Sequence, residues 1–179
     1  MDRLAVPGLP MNISDYLSKD DVAYFTARSD FHAWRLVLGN WLAIALIFYI
    51  VSIWTNPLTI LLAIVLLAGR QLGLAVLMHE AGHRTLFRSP RLNDVVGQWL
   101  CALPIMNDQP SYASGHLEHH RKAGTHEDPD LPNCQAYPIS RASFRRKVVR
   151  DLTGQTGFKL LAYIARATGI ISDQRRASA

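Results

Sequence analysis

Hydrophobic and polar positions divide the chain into a polar lead, two long apolar runs and a mixed remainder. From Leu36 to Trp54 it reads LVLGNWLAIALIFYIVSIW, with no charge and with Asn40 and Ser52 as the clear polar members. At 1.5 Å per residue this predicts a helix of about 28 Å, close to the thickness of a hydrocarbon core. Trp34 and Trp54 would stand about 30 Å apart, spaced for the two interfaces of a bilayer. Thr55-Asn56-Pro57 breaks the pattern, and Leu58 to Met78 is a second run, interrupted by Arg70-Gln71. Two such lengths back to back predict a transmembrane hairpin, 36–54 and 58–78, rather than the buried hairpin of a soluble chain. A charge at mid-bilayer costs roughly 2.5 kcal/mol or more. Arg70 is therefore expected either to snorkel toward the nearer surface or to face a protein interior.

The flanks predict shorter elements. Residues 1–13, with Pro7, Gly8 and Pro10, read as a loose tail. Ser18-Lys19-Asp20-Asp21 carries a helix-start pattern for a short helix through Val22 and Phe25. Val95 to Met106 (VVGQWLCALPIM) is apolar, too short to cross a bilayer and interrupted by Pro104, which suits an interfacial or re-entrant segment. Residues 141–171 mix Arg145, Arg146, Lys147, Arg150 and Lys159 with Phe144, Val148, Leu152, Phe158 and Leu161. They predict a basic amphipathic stretch, broken by Gly154 and Gly157, that lies on an anionic leaflet or packs against other protein. The expected organisation is an amino-terminal segment 1–35, a hairpin 36–78, a histidine-bearing region 79–140 and a basic tail 141–179.

Composition supports the membrane reading. Charged residues make up 18% of the chain, below the roughly 25% of a typical soluble domain. The net charge of +5 would suit anionic lipid or nucleic acid. The basic residues sit beside the apolar runs, where lipid accounts for them, so no nucleic-acid partner is expected. The link 55–57 has no Lys or Arg, whereas Arg84, Arg88, Arg91, Arg121 and Lys122 follow the second run. The positive-inside rule places that side and both termini in the cytoplasm. No signal peptide is evident. Cys101 and Cys134 are the two cysteines; they form neither a bridge framework nor a CxxC pair and read as ordinary thiols.

The candidate chemistry lies in the histidines, six of which fall between positions 79 and 126. In His79-Glu80-Ala81-Gly82-His83 an i, i+4 spacing puts both imidazoles on one helix face. In His116-Leu117-Glu118-His119-His120 an i, i+3 spacing puts His116 and His119 on a common face. His120 then lies about 100° further round, within reach of a second ion. Imidazole ligands suit Fe, Zn, Cu or Ni. His32 reads as a surface histidine, and His126 as outside the ligand set. Taken alone, HEAGH is an HExxH zinc-protease motif with Glu80 as general base. That reading leaves the second cluster without a role.

With the text around them, the two boxes resemble the membrane fatty acid desaturase family. The matching segments are MHEAGHRTLF at 78–87, SGHLEHHRKAGTHEDPD at 114–130, the preceding hairpin, and RRKVVRDLTGQTG at 145–157. The resemblance implies an all-α membrane protein: a two-helix hairpin followed by cytoplasmic helical segments carrying the boxes, in a multi-pass protein of a bacterial inner membrane. It implies two non-haem iron ions held by His79, His83, His116, His119 and His120, with O2 as co-substrate and a lipid or fatty acyl substrate. It also implies a ferredoxin-like or cytochrome b5-like electron donor. Glu80, Glu118, Asp128 and Asp130 would orient imidazoles through their second nitrogens, although helix polarity alone accounts for the two glutamates. The product would be a double bond or, alternatively, a hydroxyl group. The family carries a third histidine box, and no histidine follows His126, so the five histidines are too few for the family's complete diiron site. The chain is accordingly expected to be an amino-terminal portion, inactive alone, with a non-catalytic remnant as a further alternative.

Overall fold

The computed structural model describes residues 16–167. The expected loose segment 1–13, the last part of the basic tail and the side chain of Cys134 lie outside the described residues. Within them the regular elements are helices, with no strand, and the chain is an all-α membrane protein. Two units are formed, divided between Pro110 and Ser111.

In the first unit, α1 (Lys19–Phe25) starts where the sequence predicts. Ser18 Oγ accepts the Asp21 N–H, and the Asp21 carboxylate accepts the Ser18 N–H. This reciprocal capping box satisfies two amide donors at the start of the helix. The two apolar runs form α2 (Asp30–Ile53) and α3 (Pro57–Gly82). Both exceed the expected 36–54 and 58–78, because capping rather than polarity sets their ends. Ser29 caps α2 through the His32 N–H. Asn56 Oδ1 accepts from Leu58 and Thr59, and Pro57 occupies the first turn of α3, where no amide partner is needed. The 24 and 26 residues give helices of about 36 and 39 Å, longer than a hydrocarbon core. Their apolar side chains point outward: Leu38 is 57%, Phe48 60% and Val65 63% exposed. Such surfaces are stable only against hydrocarbon or more protein.

Where α2 and α3 touch, small residues and one amide make the contact. Asn40 is buried, and its Nδ2 donates to the Arg70 carbonyl at 3.3 Å. A Cβ on Gly73 would meet Asn40 Oδ1 at 2.6 Å, so the side chain at position 40 fills the space that glycine leaves.

The segment 90–106 is helical but irregular. α4 (Pro90–Val96) passes into a π-helical turn, Gly97–Ala102, and a 3-10 turn, Leu103–Ile105. Gly97, Cys101 and Ala102 are buried, whereas Val95, Trp99, Leu103 and Met106 are exposed. The buried side packs on α3, and Trp41 Nε1 donates to the Leu100 carbonyl at 3.0 Å. Burial pushes the Cys101 thiol up to about 11, which keeps it protonated, in line with a packing role. Trp34 packs edge-on against buried Phe87 at 5.3 Å. Asp30 Oδ1 accepts the Arg88 N–H at 2.8 Å, and Arg88 Nε donates to the Arg28 carbonyl. Residues 28–34 therefore hold the loop after the first histidine box.

In the second unit, α5 carries the second box on a helix (Gln109–Lys122) that begins just before the boundary. α6 (Leu131–Cys134), α7 (Arg141–Leu152) and α8 (Gln155–Ala167) follow. The α7–α8 break falls at Gly154, whose φ of +77° favours a residue without a Cβ. The second expected break does not occur, because Gly157 lies inside α8.

Candidate metal centre

The first box is built on the last turn of α3. The helix runs through Gly82 to a C-cap at His83, so His79 and His83 remain on one face. Their rings lie 4.6 Å apart, edge to face, and each offers a nitrogen within 4.8 Å of the other. The helix then ends in a Schellman turn. Arg84 takes a left-handed conformation (φ 58°) and donates to the Ala81 carbonyl, and Thr85 donates to the Glu80 carbonyl, both at 2.9 Å. This ending satisfies carbonyls that a helix terminus leaves open. It also brings the Thr85 hydroxyl to the Glu80 carboxylate at 2.7 Å. The other Glu80 oxygen lies 3.2 Å from His79 Nδ1. Engaging Nδ1 in this way favours the tautomer whose Nε2 carries the free lone pair.

The second box lies on α5, and its histidines pair differently from the expected arrangement. His116 and His120, one turn apart, bring their Nε2 atoms to 3.0 Å, with ring centroids 4.5 Å apart. The His116 and His119 rings stack at a longer 6.0 Å. The difference comes from the loop after α5, which returns Asp128 to His119: Nδ1 and Oδ1 are 2.7 Å apart, and Asp130 Oδ2 is at 3.7 Å. Asp128 is 8% exposed, and the Asp130 N–H also donates to its Oδ1 at 2.8 Å. The bond from His119, with help from the Asp130 amide, holds the Asp128 carboxyl below its ordinary range. The same bond raises the His119 imidazole against the opposing effect of burial.

The remaining candidates separate clearly. The Glu118 carboxylate is taken by Arg121 and by Lys122, so it serves the outer face of α5. His126 and His32 are exposed. Two residues not singled out in the sequence belong to these clusters. Thr85 fixes Glu80, and Tyr112 stacks on His116 at 5.3 Å with planes 13° apart. The signal for Tyr112 was its position one turn before His116. Burial, and then the Asp130 charge, raise the Tyr112 hydroxyl, so it remains a neutral donor.

The donor set fits a transition metal. Imidazole nitrogens without thiolates suit iron or zinc better than magnesium or calcium. Two nitrogens each about 2.1 Å from one ion, at a right angle, stand about 3.0 Å apart, which matches the His116–His120 separation.

Comparison with known proteins agrees with this reading. Dihydrorhizobitoxine desaturase of Bradyrhizobium elkanii is 37% identical over 83 residues, 45% of this chain and 22% of that protein. Beta-carotene ketolase of Paracoccus sp. (strain PC1) is 32% identical over 97 residues, 53% of this chain and 40% of that protein. The matches thus span less than half the length of these curated relatives. No solved structure matches the chain. The profile of the fatty acid desaturase family matches residues 54–178, a stretch that holds α3 and both histidine boxes. The chain belongs to the fatty acid desaturase family.

Proposed function

We propose that this chain supplies the first two histidine boxes of a fatty acid desaturase-like oxidoreductase of lipid metabolism. In this proposal His79, His83, His116, His119 and His120 ligate two non-haem irons. The observation that carries the reading is the His116–His120 nitrogen pair at 3.0 Å, set in a chain of this family. Bound iron would supply the one-electron chemistry needed to break an unactivated C–H bond. The net reaction is balanced as follows: a –CH2–CH2– unit, O2, two electrons and two protons give –CH=CH– and two waters. The electrons come from a separate ferredoxin-like or cytochrome b5-like donor.

The chain's own residues set up this chemistry. Asp128 holds His119 by Nδ1, and Glu80, fixed by Thr85, holds His79 by the same atom. Each carboxylate orients its imidazole and strengthens it as a ligand. The box at the end of α3 stands where an apolar span meets the aqueous edge, so acyl chain and electron donor approach from opposite sides. In this reading the protein is multi-pass in a bacterial inner membrane, with boxes and termini cytoplasmic.

Hydroxylation at the same centre is the second reading, since one curated relative is named a desaturase and the other a ketolase. The zinc-protease reading of HEAGH needs Glu80 as a base, and its carboxylate is engaged by Thr85 and His79.

Metal analysis of the detergent-purified chain, against a His119→Ala/His120→Ala variant, tests the proposal. Stoichiometric iron, lost in the variant, is the expected result. Zinc retained in the variant would support the protease, and no bound metal would support a site that is incomplete without the third box, or a non-catalytic remnant. With a third-box portion supplied in trans, product mass in donor-supplemented membranes separates loss of two hydrogens from gain of one oxygen.

A further inference from the structure

The α2–α3 hairpin carries a feature that the metal chemistry does not use. A groove of about 530 Å³ runs along it, with Arg35, Arg70, Leu36, Leu72 and Val76 among its lining residues and no acidic residue. Gly39 and Gly69 also line it and have no neighbour within 4 Å where a Cβ would stand, which keeps it open. Arg35 lies over the Phe31 ring at 5.9 Å. Among the described residues neither arginine pairs with a carboxylate.

Depth gives these charges a meaning. If the Trp54–Pro57 turn marks one edge of a hydrocarbon core of about 30 Å, α3 leaves the core about 20 residues later, near Leu77. Arg70 then lies about 10 Å below that edge along the helix. A stem of this length can carry its charged end toward the nearer surface of a membrane. Because Asn40 meets the Arg70 carbonyl, Arg35, five residues earlier on the antiparallel α2, sits about 7.5 Å nearer the edge. The groove is therefore lined by one arginine rooted near that edge and a second rooted deeper, beside the apolar Leu36, Leu72 and Val76. A cation at this depth gains from an opposite charge, and guanidiniums match phosphate oxygens well.

We propose that the α2–α3 groove binds one anionic membrane phospholipid, its phosphate between Arg35 and Arg70 and its glycerol and upper acyl carbons against Leu36, Leu72 and Val76. This goes beyond the metal reading and depends only on the chain lying in a membrane.

The test is retained lipid on the full chain, purified from membranes in mild detergent and washed, with phospholipid class and phosphorus measured per chain. Wild type is expected to keep one phosphatidylglycerol-type lipid and to exchange phosphatidylcholine freely. Arg35→Gln and Arg70→Gln are each expected to lower retention about tenfold, the effect of losing one charge-assisted contact. Gly69→Leu, which fills the groove and leaves both charges, is expected to do the same. Arg91→Gln, an exposed arginine outside the groove, is the control and is expected to change nothing. Retention unaffected by Arg70→Gln, or lowered equally by Arg91→Gln, would overturn the site. Free fatty acid in place of phospholipid would overturn it too, as would no retained lipid on wild type, the result expected if another helix's acidic side chain occupies the groove. Should Gly69→Leu lose helicity, the two arginine variants decide.

Discussion

Asp128→Asn is the most informative single change, because it alters one atom and leaves the shape of the loop. In the native chain Asp128 Oδ1 receives both the His119 ring N–H at 2.7 Å and the Asp130 amide at 2.8 Å. The first distance is that of a charge-assisted bond. Asparagine keeps an oxygen that can accept from either donor but loses the charge that raises His119 as a ligand. Removing a carboxylate behind a metal-bound imidazole typically lowers metal affinity about ten- to a hundredfold. Asn, which keeps an acceptor, should fall near the lower figure, and Asp128→Ala near the upper. The assay is titration of the metal-free chain with cobalt(II), followed by its visible absorption, for wild type, Asp128→Asn, His119→Ala and the double variant. If Asp128 acts through His119, the double variant binds cobalt no more weakly than His119→Ala alone, since coupled residues give non-additive effects. Additive losses, or an Asp128→Asn variant that binds as wild type while His119→Ala does not, would refute the reasoning. The same experiment also tests His119 as a ligand, because His119→Ala should leave affinity unchanged if only His116 and His120 hold metal in this box.

Two further changes probe the first box. Gly97 sits against α3, where an added Cβ would lie 2.7 Å from Ala81 Cβ and 2.9 Å from Gln109 Cδ. Gly97→Ala should destabilise the chain by about 1–3 kcal/mol through overpacking, read as earlier unfolding in detergent, and unchanged stability would place Gly97 away from α3. Arg84 holds a left-handed backbone at φ 58°. Arg84→Gly should raise stability by up to about 1 kcal/mol, offset in part by loss of its exposed ion pair with Asp94, and a clear loss would show that the Asp94 contact matters more.

The chain's sequence made the spans and both boxes legible for a shared reason: each is carried by composition or spacing within one helix. An unbroken apolar run and an i, i+4 histidine pair keep their meaning whatever surrounds them. The helix ends were less legible. α2 begins at Asp30 rather than Leu36 because Ser29 caps it, and hydrophobicity says nothing about a cap. Glycine likewise marked two candidate breaks in the basic tail, and only Gly154 has a positive φ that requires one. Gly157 lies within α8 at a modest cost in helix propensity. The buried Asn93, which bonds both the Phe87 amide and its carbonyl, reads in the sequence as an ordinary polar residue. Phe87 is six residues away across a loop.

The pairing within the second box shows where spacing stops being sufficient. On an isolated helix His116 can meet His119 or His120 almost equally well, since both lie within one turn. The choice was made outside the helix, by a loop that places Asp128 against His119 Nδ1. The first box reaches the same result by another route: the Schellman turn at Arg84 brings Thr85 onto Glu80, and Glu80 onto His79 Nδ1. In both boxes a carboxylate fixes one imidazole by Nδ1. In the first it lies next to its histidine on the same helix, and in the second it lies nine residues further on. This difference carries an energetic consequence. Opening of the backbone leaves Glu80 beside His79, since they are neighbours on one helix, whereas opening of the loop 123–130 carries Asp128 away from His119. Loops open at lower free energy than helix interiors, so the Asp128–His119 contact is the one that local opening of the backbone can break.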